Sequence, residues 1–135
     1  MKRREAREQA FLLLFEKTFK NETLEEILVS AELSRDFAID AFAKRVFEGI
    51  NKEQITIDEM IEHHIVGWKK ERLSRVALSI LRLAVFEMLF EKNIPGSVSI
   101  NEAVEIAKCY GTQDDASFIN GVLSGVYKEL EQIDG

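Results

Sequence analysis

Residues 74–90 read SRVALSILRLAVFEMLF and are apolar on nearly every side of a helix. The polar residues Arg75, Ser79 and Arg82 recur at helical spacing and form one narrow stripe, so other helices must surround the remaining faces. Arg82 and Glu87 also interrupt the apolar run before it reaches the length that a bilayer requires. This stretch therefore predicts the central helix of a helical bundle and not a membrane span.

The remainder of the 135-residue chain also favours an all-α fold. It contains one proline, and no segment alternates like a strand between turn residues. The predicted helices are Arg3–Phe19, Leu24–Ala31, Arg35–Ile50, Ile57–Ile65, Ser74–Phe90, Ile100–Tyr110 and Asp115–Leu130. Capping boxes at Thr23/Glu26, Thr56/Glu59 and Ser99/Glu102 mark three of their starts.

Other residues are candidates for the caps and ends of these helices. Ser34 is a candidate cap for the third helix, and Thr112 or Asp114 for the last. Gly111 is expected to end the sixth helix in the left-handed conformation. The polar break at residues 51–54 divides the chain into a three-helix subdomain (1–51) and a four-helix subdomain (55–135), which together form one domain.

Charge is distributed unevenly along the chain. The net charge is -6, but residues 1–20 hold six basic and three acidic side chains, a net charge of +3. The remainder therefore carries -9. Because the N-terminus is basic and the remainder is acidic, a polyanion could bind favourably only near the N-terminus.

Catalytic and metal-binding motifs are absent from the sequence. Glu59 and His63 lie one helical turn apart, but no further ligand has a supporting spacing, so capping is favoured over metal coordination. Cys109 is the only cysteine, and we expect a buried structural thiol in a reducing cytoplasm. We predict no cofactor, no metal and no enzymatic activity.

The N-terminus combines cations with aromatic rings. One helical stripe holds Arg4, Arg7, Phe11 and Phe15. Guanidinium groups match phosphate oxygens, and a neighbouring ring can stack on an unstacked base, as in single-strand RNA recognition. The alternative is a solvated helix start, but positive charge there opposes the helix dipole.

The segment from Tyr110 to Gly121 is a second candidate, because it places an aromatic ring and hydrogen-bonding side chains at a helix start. Such a segment can read base edges. In the alternative interpretation Asp114 and Asp115 only cap the helix, Phe118 belongs to the core and Asn120 is a buried amide.

From Arg3 to Leu130 the chain resembles the NusB family of transcription antitermination factors. The matching residues are Arg3–Arg7 with Ala10 and Leu14–Phe15, Trp68 with Glu71–Leu73, Ile80–Ala84 with Phe86–Glu87, Ile94–Pro95, Ile100–Lys108, Tyr110–Gly111 and Phe118–Leu123. The resemblance implies two small helical bundles that bind single-stranded boxA RNA of ribosomal RNA leader transcripts together with the ribosomal protein NusE. NusA, NusG and RNA polymerase would complete the larger complex.

The resemblance also implies particular contacts. RNA would be bound by Lys2, Arg3, Arg4, Arg7, Phe15, Asp114 and Phe118, and NusE by the second subdomain. Phe15 stands where many members have tyrosine, and Glu5 and Glu8 interleave with the bases. We therefore expect low intrinsic RNA affinity, with the partner supplying further positive surface.

Two other interpretations remain open. The chain could be a helical protein-interaction adaptor or a homodimer that does not bind RNA. It could also match the accessory domain of ribosomal RNA cytosine methyltransferases, although we expect no catalytic domain because the sequence ends at Gly135 without a cofactor-binding glycine loop.

Overall fold

The computed structural model describes residues 2–19, 21–33 and 39–134 of the chain. These residues form seven α-helices and one short 3-10 turn, without any strand, so the all-α prediction is confirmed. The elements are α1 (Arg3–Phe19), α2 (Leu24–Leu33), α3 (Ala41–Lys52), α4 (Gln54–His63), the 3-10 turn (Lys70–Arg72), α5 (Arg75–Phe90), α6 (Gly96–Tyr110) and α7 (Gln113–Asp134).

Two helices start at reciprocal capping boxes. Before α2, Thr23 N donates to Glu26 Oε1 at 3.0 Å and Glu26 N donates to Thr23 Oγ1 at 3.1 Å, as predicted. Before α7, Thr112 and Asp115 exchange the same pair of bonds, each at 3.0 Å. Each box satisfies amides that the helix itself leaves without partners.

The other two predicted capping boxes are wrong. Helix α4 begins at Gln54, so Thr56 already lies in its first turn. Helix α6 begins at Gly96 directly after Pro95, whose extended backbone starts the helix without a side-chain cap. Ser99 is instead buried and donates its hydroxyl to Glu87.

Helix α3 is shorter than predicted. Its N-cap is Asp40, whose carboxylate accepts from Phe42 N at 2.8 Å, and residues 39–40 are not helical. A continuous helix from Arg35 is therefore wrong, while the cap predicted at Ser34 lies outside the described residues. Only Glu53 separates α3 from α4, so the break between the two groups of helices is a single residue. Their division into two subdomains stays a prediction.

Helix α5 is the centre of the fold. It contacts α1, α3, α4, α6 and α7, and ten of its sixteen residues are buried. One hydrophobic core connects these helices, and each fully buried aliphatic side chain contributes roughly 1.5–3 kcal/mol. The prediction of a surrounded central helix is confirmed. In the described ranges, no helix has the length and apolarity that crossing a membrane would take.

A buried carboxylate ties α4 to α5. Asp58 accepts from Arg82 Nε and Nη2, both at 2.9 Å, and from Lys70 Nζ at 3.2 Å. Arg82 therefore pairs within the protein, with Asp58. Burial acts to lower the pKa of Lys70, but the hydrogen bonds and negative charges of Asp58 and Glu62 together outweigh burial and raise this pKa. The triad fixes the segment between α4 and α5.

Close approach of neighbouring side chains requires glycine at several positions, two of them in or next to α7. A Cβ on Gly125 would lie 2.7 Å from Nδ1 of His64, and one on Gly111 would lie 2.8 Å from Oδ2 of Asp115. The left-handed conformation predicted for Gly111 is wrong, because its φ is -114°. Gly121, one turn before Gly125, has open space around the Cβ position.

Candidate nucleic-acid interface

Arg7, a predicted RNA contact, lies in the core. Its side chain is 5% exposed and donates from Nε and Nη2 to Glu87 at 2.8 and 3.1 Å. Glu87 is 1% exposed and also accepts from Ser99 at 2.9 Å. A buried carboxylate requires such partners, so Arg7 fixes α1 to α5. This geometry does not support direct RNA contact by Arg7.

The other three N-terminal cations are exposed. Arg4, whose side chain is 63% exposed, donates from Nε to Glu102 on α6 at 2.9 Å. The hydrogen bond and charge of Glu102 raise the pKa of Arg4. Arg3 lies over the ring of Phe42 on α3, 4.0 Å from its centroid. Lys2 precedes the helix and is exposed. Arg3 and Arg4 thus face different neighbours on either side of the buried Arg7.

An aromatic row follows α1 away from Arg4. We define it as Phe11, Phe15, Phe19 and Tyr110. Phe11 and Phe15 stack at 5.8 Å with a 20° interplanar angle, and Phe19 meets Phe15 edge-on at 4.8 Å. Tyr110 lies 5.0 Å from Phe11. Phe11 is buried, Phe15 is half-buried, and Phe19 and Tyr110 are exposed, so the row offers ring surface to solvent.

Tyr110 joins the two segments that the sequence singled out. Its hydroxyl donates to the carboxylate of Glu8 on α1, which raises the pKa of Tyr110 to about 12. Because Tyr110 ends α6 and Gly111 and Thr112 lead into α7, this contact sets the start of α7 beside α1. Sequence reasoning placed Tyr110 in the candidate segment but not among the RNA contacts.

The start of α7 forms one wall of a cleft. Asp114 is exposed, and Phe118 is half-buried with its ring 5.8 Å from that of Trp68. Trp68 is 60% exposed. The cleft has a volume of about 370 Å³ and is lined by Trp68, Arg72, Leu73, Ser74, Ala77, Asp114, Asp115 and Phe118. Asn120 is exposed, so the buried-amide interpretation of that residue is wrong.

The first residues of α5 connect this cleft to the aromatic row. The hydroxyl of Ser74 donates to Asp115 Oδ1 at 3.3 Å. The next residue, Arg75, donates to the carbonyl of Thr18 at 2.9 Å and covers the Phe19 ring at 4.3 Å. Sequence reasoning missed Trp68, Arg72 and Arg75 as site residues, because their neighbours come from three separate helices.

Cys109 and His63 are the two reactive side chains that the sequence singled out. Cys109 is exposed, so the prediction of a buried thiol is wrong. His63 Nδ1 lies 4.0 Å from Glu129 on α7, and the residues described contain no cluster of three metal-ligating side chains. The surface described here offers cations and ring faces, which are the groups that bind phosphates and bases.

The described residues define an all-helical protein whose surface carries exposed cations and exposed aromatic rings. The model of the NusB family matches residues 4–128. The chain therefore belongs to the NusB family. The transcription antitermination protein NusB of Clostridium botulinum (strain Kyoto / Type A2) is 45% identical to it over an alignment of 140 positions, which spans 91% of this chain and 97% of that protein.

Solved structures support the same family assignment. The T. maritima NusB structure is similar with a TM-score of 0.86 and 38% identity, covering 100% of this chain and 99% of that one. A crystal structure of the antitermination factors NusB and NusE in complex with dsRNA is similar with a TM-score of 0.83 and 29% identity, covering 94% and 96%. The predicted family resemblance is confirmed.

Proposed function

We propose that this chain is a non-enzymatic, cytoplasmic antitermination factor that binds single-stranded boxA RNA of ribosomal RNA leader transcripts jointly with NusE. NusA, NusG and RNA polymerase join the resulting complex. The mechanism is cooperative assembly on nascent RNA, without bond making. Family membership supports the antitermination role, and the related structure of NusB and NusE with double-stranded RNA supports joint binding of RNA with NusE.

The observation that carries the proposal is the continuous face formed by Arg4, the aromatic row and the cleft at Trp68. Arg4 supplies a fixed charge for the RNA backbone, and Lys2 adds a second cation nearby in sequence. The exposed rings of Tyr110 and Trp68 offer stacking surfaces for unstacked bases. Phosphate contacts would set affinity, while the rings and Asp114 would set base preference.

A protein partner explains two further features. The chain carries a net charge of -6, so little of its surface attracts RNA. The second group of helices also exposes large apolar side chains that do not line the cleft, among them Ile55 and Val66. We place the NusE contact in this part of the molecule, where a basic partner would add positive surface beside the cleft.

The second candidate is an adaptor, or a homodimer, that uses those exposed apolar residues without touching RNA. The exposed side chains of Ile55 and Val66 are the observation behind it, because apolar surface left in water is available for a protein contact. The two functions differ in what Arg4 does. An adaptor has no use for a cation at the start of α1, whereas RNA binding requires one.

The test is fluorescence anisotropy of a labelled boxA-like RNA with this protein, with and without NusE, at several salt concentrations. A scrambled RNA and a duplex of the same sequence are the controls. The proposal predicts selective binding that NusE strengthens and that weakens in Arg4→Ala. Lack of selectivity in both conditions would favour the adaptor, and equal affinity with and without NusE would reject the joint site.

A further inference from the structure

The ring of Phe42 holds two guanidinium groups from different helices. Arg3 of α1 lies 4.0 Å from its centroid and Arg45 of α3 lies 5.5 Å from it. Phe42 is fixed at the first turn of α3, where its amide donates to Asp40. Attraction between a cation and the ring face explains how two positive groups share one site. We call Arg3, Phe42 and Arg45 the arginine platform.

The charge of the platform is only partly neutralised. Arg45 Nη1 lies 2.6 Å from Oε1 of Glu91, the residue that caps the end of α5. No carboxylate is paired with Arg3 among the contacts of the described residues, and Lys2 is its exposed neighbour in sequence. Arg45 keeps 57% of its side chain exposed despite its ion pair. A positive site therefore remains on the α3 side of an otherwise acidic body.

This site can hold phosphates but not bases. Phe42 is only 8% exposed, so its ring has no free face on which a base could stack. The guanidinium groups have N–H donors that the ring leaves available, and these match phosphate oxygens. The platform is also distinct from the contacts of Arg4, because Arg3 lies on a residue of α3 whereas Arg4 is bonded to Glu102 on α6.

We propose that the arginine platform binds backbone phosphates of the RNA that flanks the segment on the aromatic row. The inference rests on the proposed function and extends it, because it assigns sequence-independent contacts to α3 on the other side of Arg7. An RNA that continues past the first turn of α1 would meet Arg3 and Arg45 there. Arg45 was not among the residues that the sequence predicted to bind RNA.

The test compares, with NusE present throughout, a core boxA-like RNA and the same RNA extended by a short run of uridines at either end. Affinity and its salt dependence are measured for wild type, Arg45→Ala, Glu91→Gln and the control Lys128→Ala, which removes an exposed cation from α7. We expect Arg45→Ala to weaken binding of one extended RNA severalfold and to reduce its salt slope by about 0.7, the value for one lost single-strand phosphate contact. Binding of the core RNA should not change.

Glu91→Gln separates a binding role from a structural one. It frees Arg45 from a competing carboxylate, so it should tighten binding of the extended RNA, whereas a purely structural ion pair predicts no tightening. Equal wild-type affinity for core and extended RNAs would overturn the inference. So would an Arg45→Ala protein that behaves like Lys128→Ala. Failure of the wild type to bind even the core RNA would instead reject the proposed function itself.

Discussion

Arg7 and Glu87 are 80 positions apart in sequence, and they meet in the core as a doubly hydrogen-bonded ion pair. The two charges lie between α1 and α5, almost fully removed from water. Desolvation makes either charge costly when its partner is missing. The pair therefore sets both the position of α1 on the central helix and the direction in which its other arginines point.

Removing the cation of this pair should destabilise the fold. We expect Arg7→Met to lower the free energy of unfolding by roughly 3–5 kcal/mol, because Glu87 would remain buried without its partner. Urea unfolding followed by circular dichroism measures the change. The double variant Arg7→Met/Glu87→Leu should regain much of the loss. A single variant as stable as wild type would contradict the structural role of Arg7.

Arg4 should show the opposite behaviour. We expect Arg4→Gln to leave the unfolding midpoint nearly unchanged, because its ion pair with Glu102 is at the surface. RNA affinity should fall, and the slope of log affinity against log salt should decrease by about 0.7 for one lost phosphate contact. Anisotropy titrations at several salt concentrations measure both. An unchanged slope would mean that Arg4 does not contact the RNA backbone.

Tyr110 should lose its proton only at unusually high pH. Its hydrogen bond to Glu8 and its partial burial favour the protonated phenol, and its pKa rises to about 12 from the ordinary value of 10.0. Because the folded value is the higher one, the contribution to stability is complete below pH 10 and is lost as the pH rises through 12. Ultraviolet absorbance of the phenolate in a Tyr127→Phe background measures Tyr110 alone, since the chain has two tyrosines.

The matched control for that titration is Glu8→Gln in the same background. Without the carboxylate, the pKa of Tyr110 should move back toward 10. A titration that is the same in both proteins would show that the contact between Tyr110 and Glu8 does not persist in solution.

The two glycines of α7 should respond in opposite directions to alanine. Gly121→Ala should raise stability by roughly 0.5–1 kcal/mol, because alanine favours the helix and the Cβ position is open. Gly125→Ala should destabilise, because its Cβ would press on His64. Thermal unfolding of both variants provides the comparison. Stabilisation by Gly125→Ala would contradict the close approach of α4 and α7.

The fold was predictable where local sequence decides it. The apolar faces of residues 74–90 identify a central helix, and the Thr23/Glu26 box depends only on residues three apart. The start of α6 was missed because Ser99 and Glu102 resemble a capping box in sequence. In the structure both side chains form hydrogen bonds with charged residues on other helices. Ser99 donates to Glu87, and Glu102 accepts from Arg4.

The candidate surface was predictable only in part. Arg4, Arg7 and Phe11 share one stripe of α1, but helical spacing alone does not tell which edge of a stripe is covered by neighbours. The structure buries Arg7 and Phe11 and leaves Arg4 exposed. The contact between Tyr110 and Glu8 spans 102 positions, so no local pattern indicates it. RNA roles for Lys2, Arg3, Arg4, Phe15, Asp114 and Phe118 stay predictions.

The buried position of Arg7 also has a consequence for the thermodynamics of the proposed RNA binding. An unanchored, arginine-rich N-terminus would lose conformational entropy each time it bound RNA. Here the first turn of α1 is ordered when the protein folds, so Arg3 and Arg4 are preorganised and that entropic cost falls on folding and not on association. Fraying of this one turn would therefore weaken RNA binding at temperatures at which the rest of the protein is still folded.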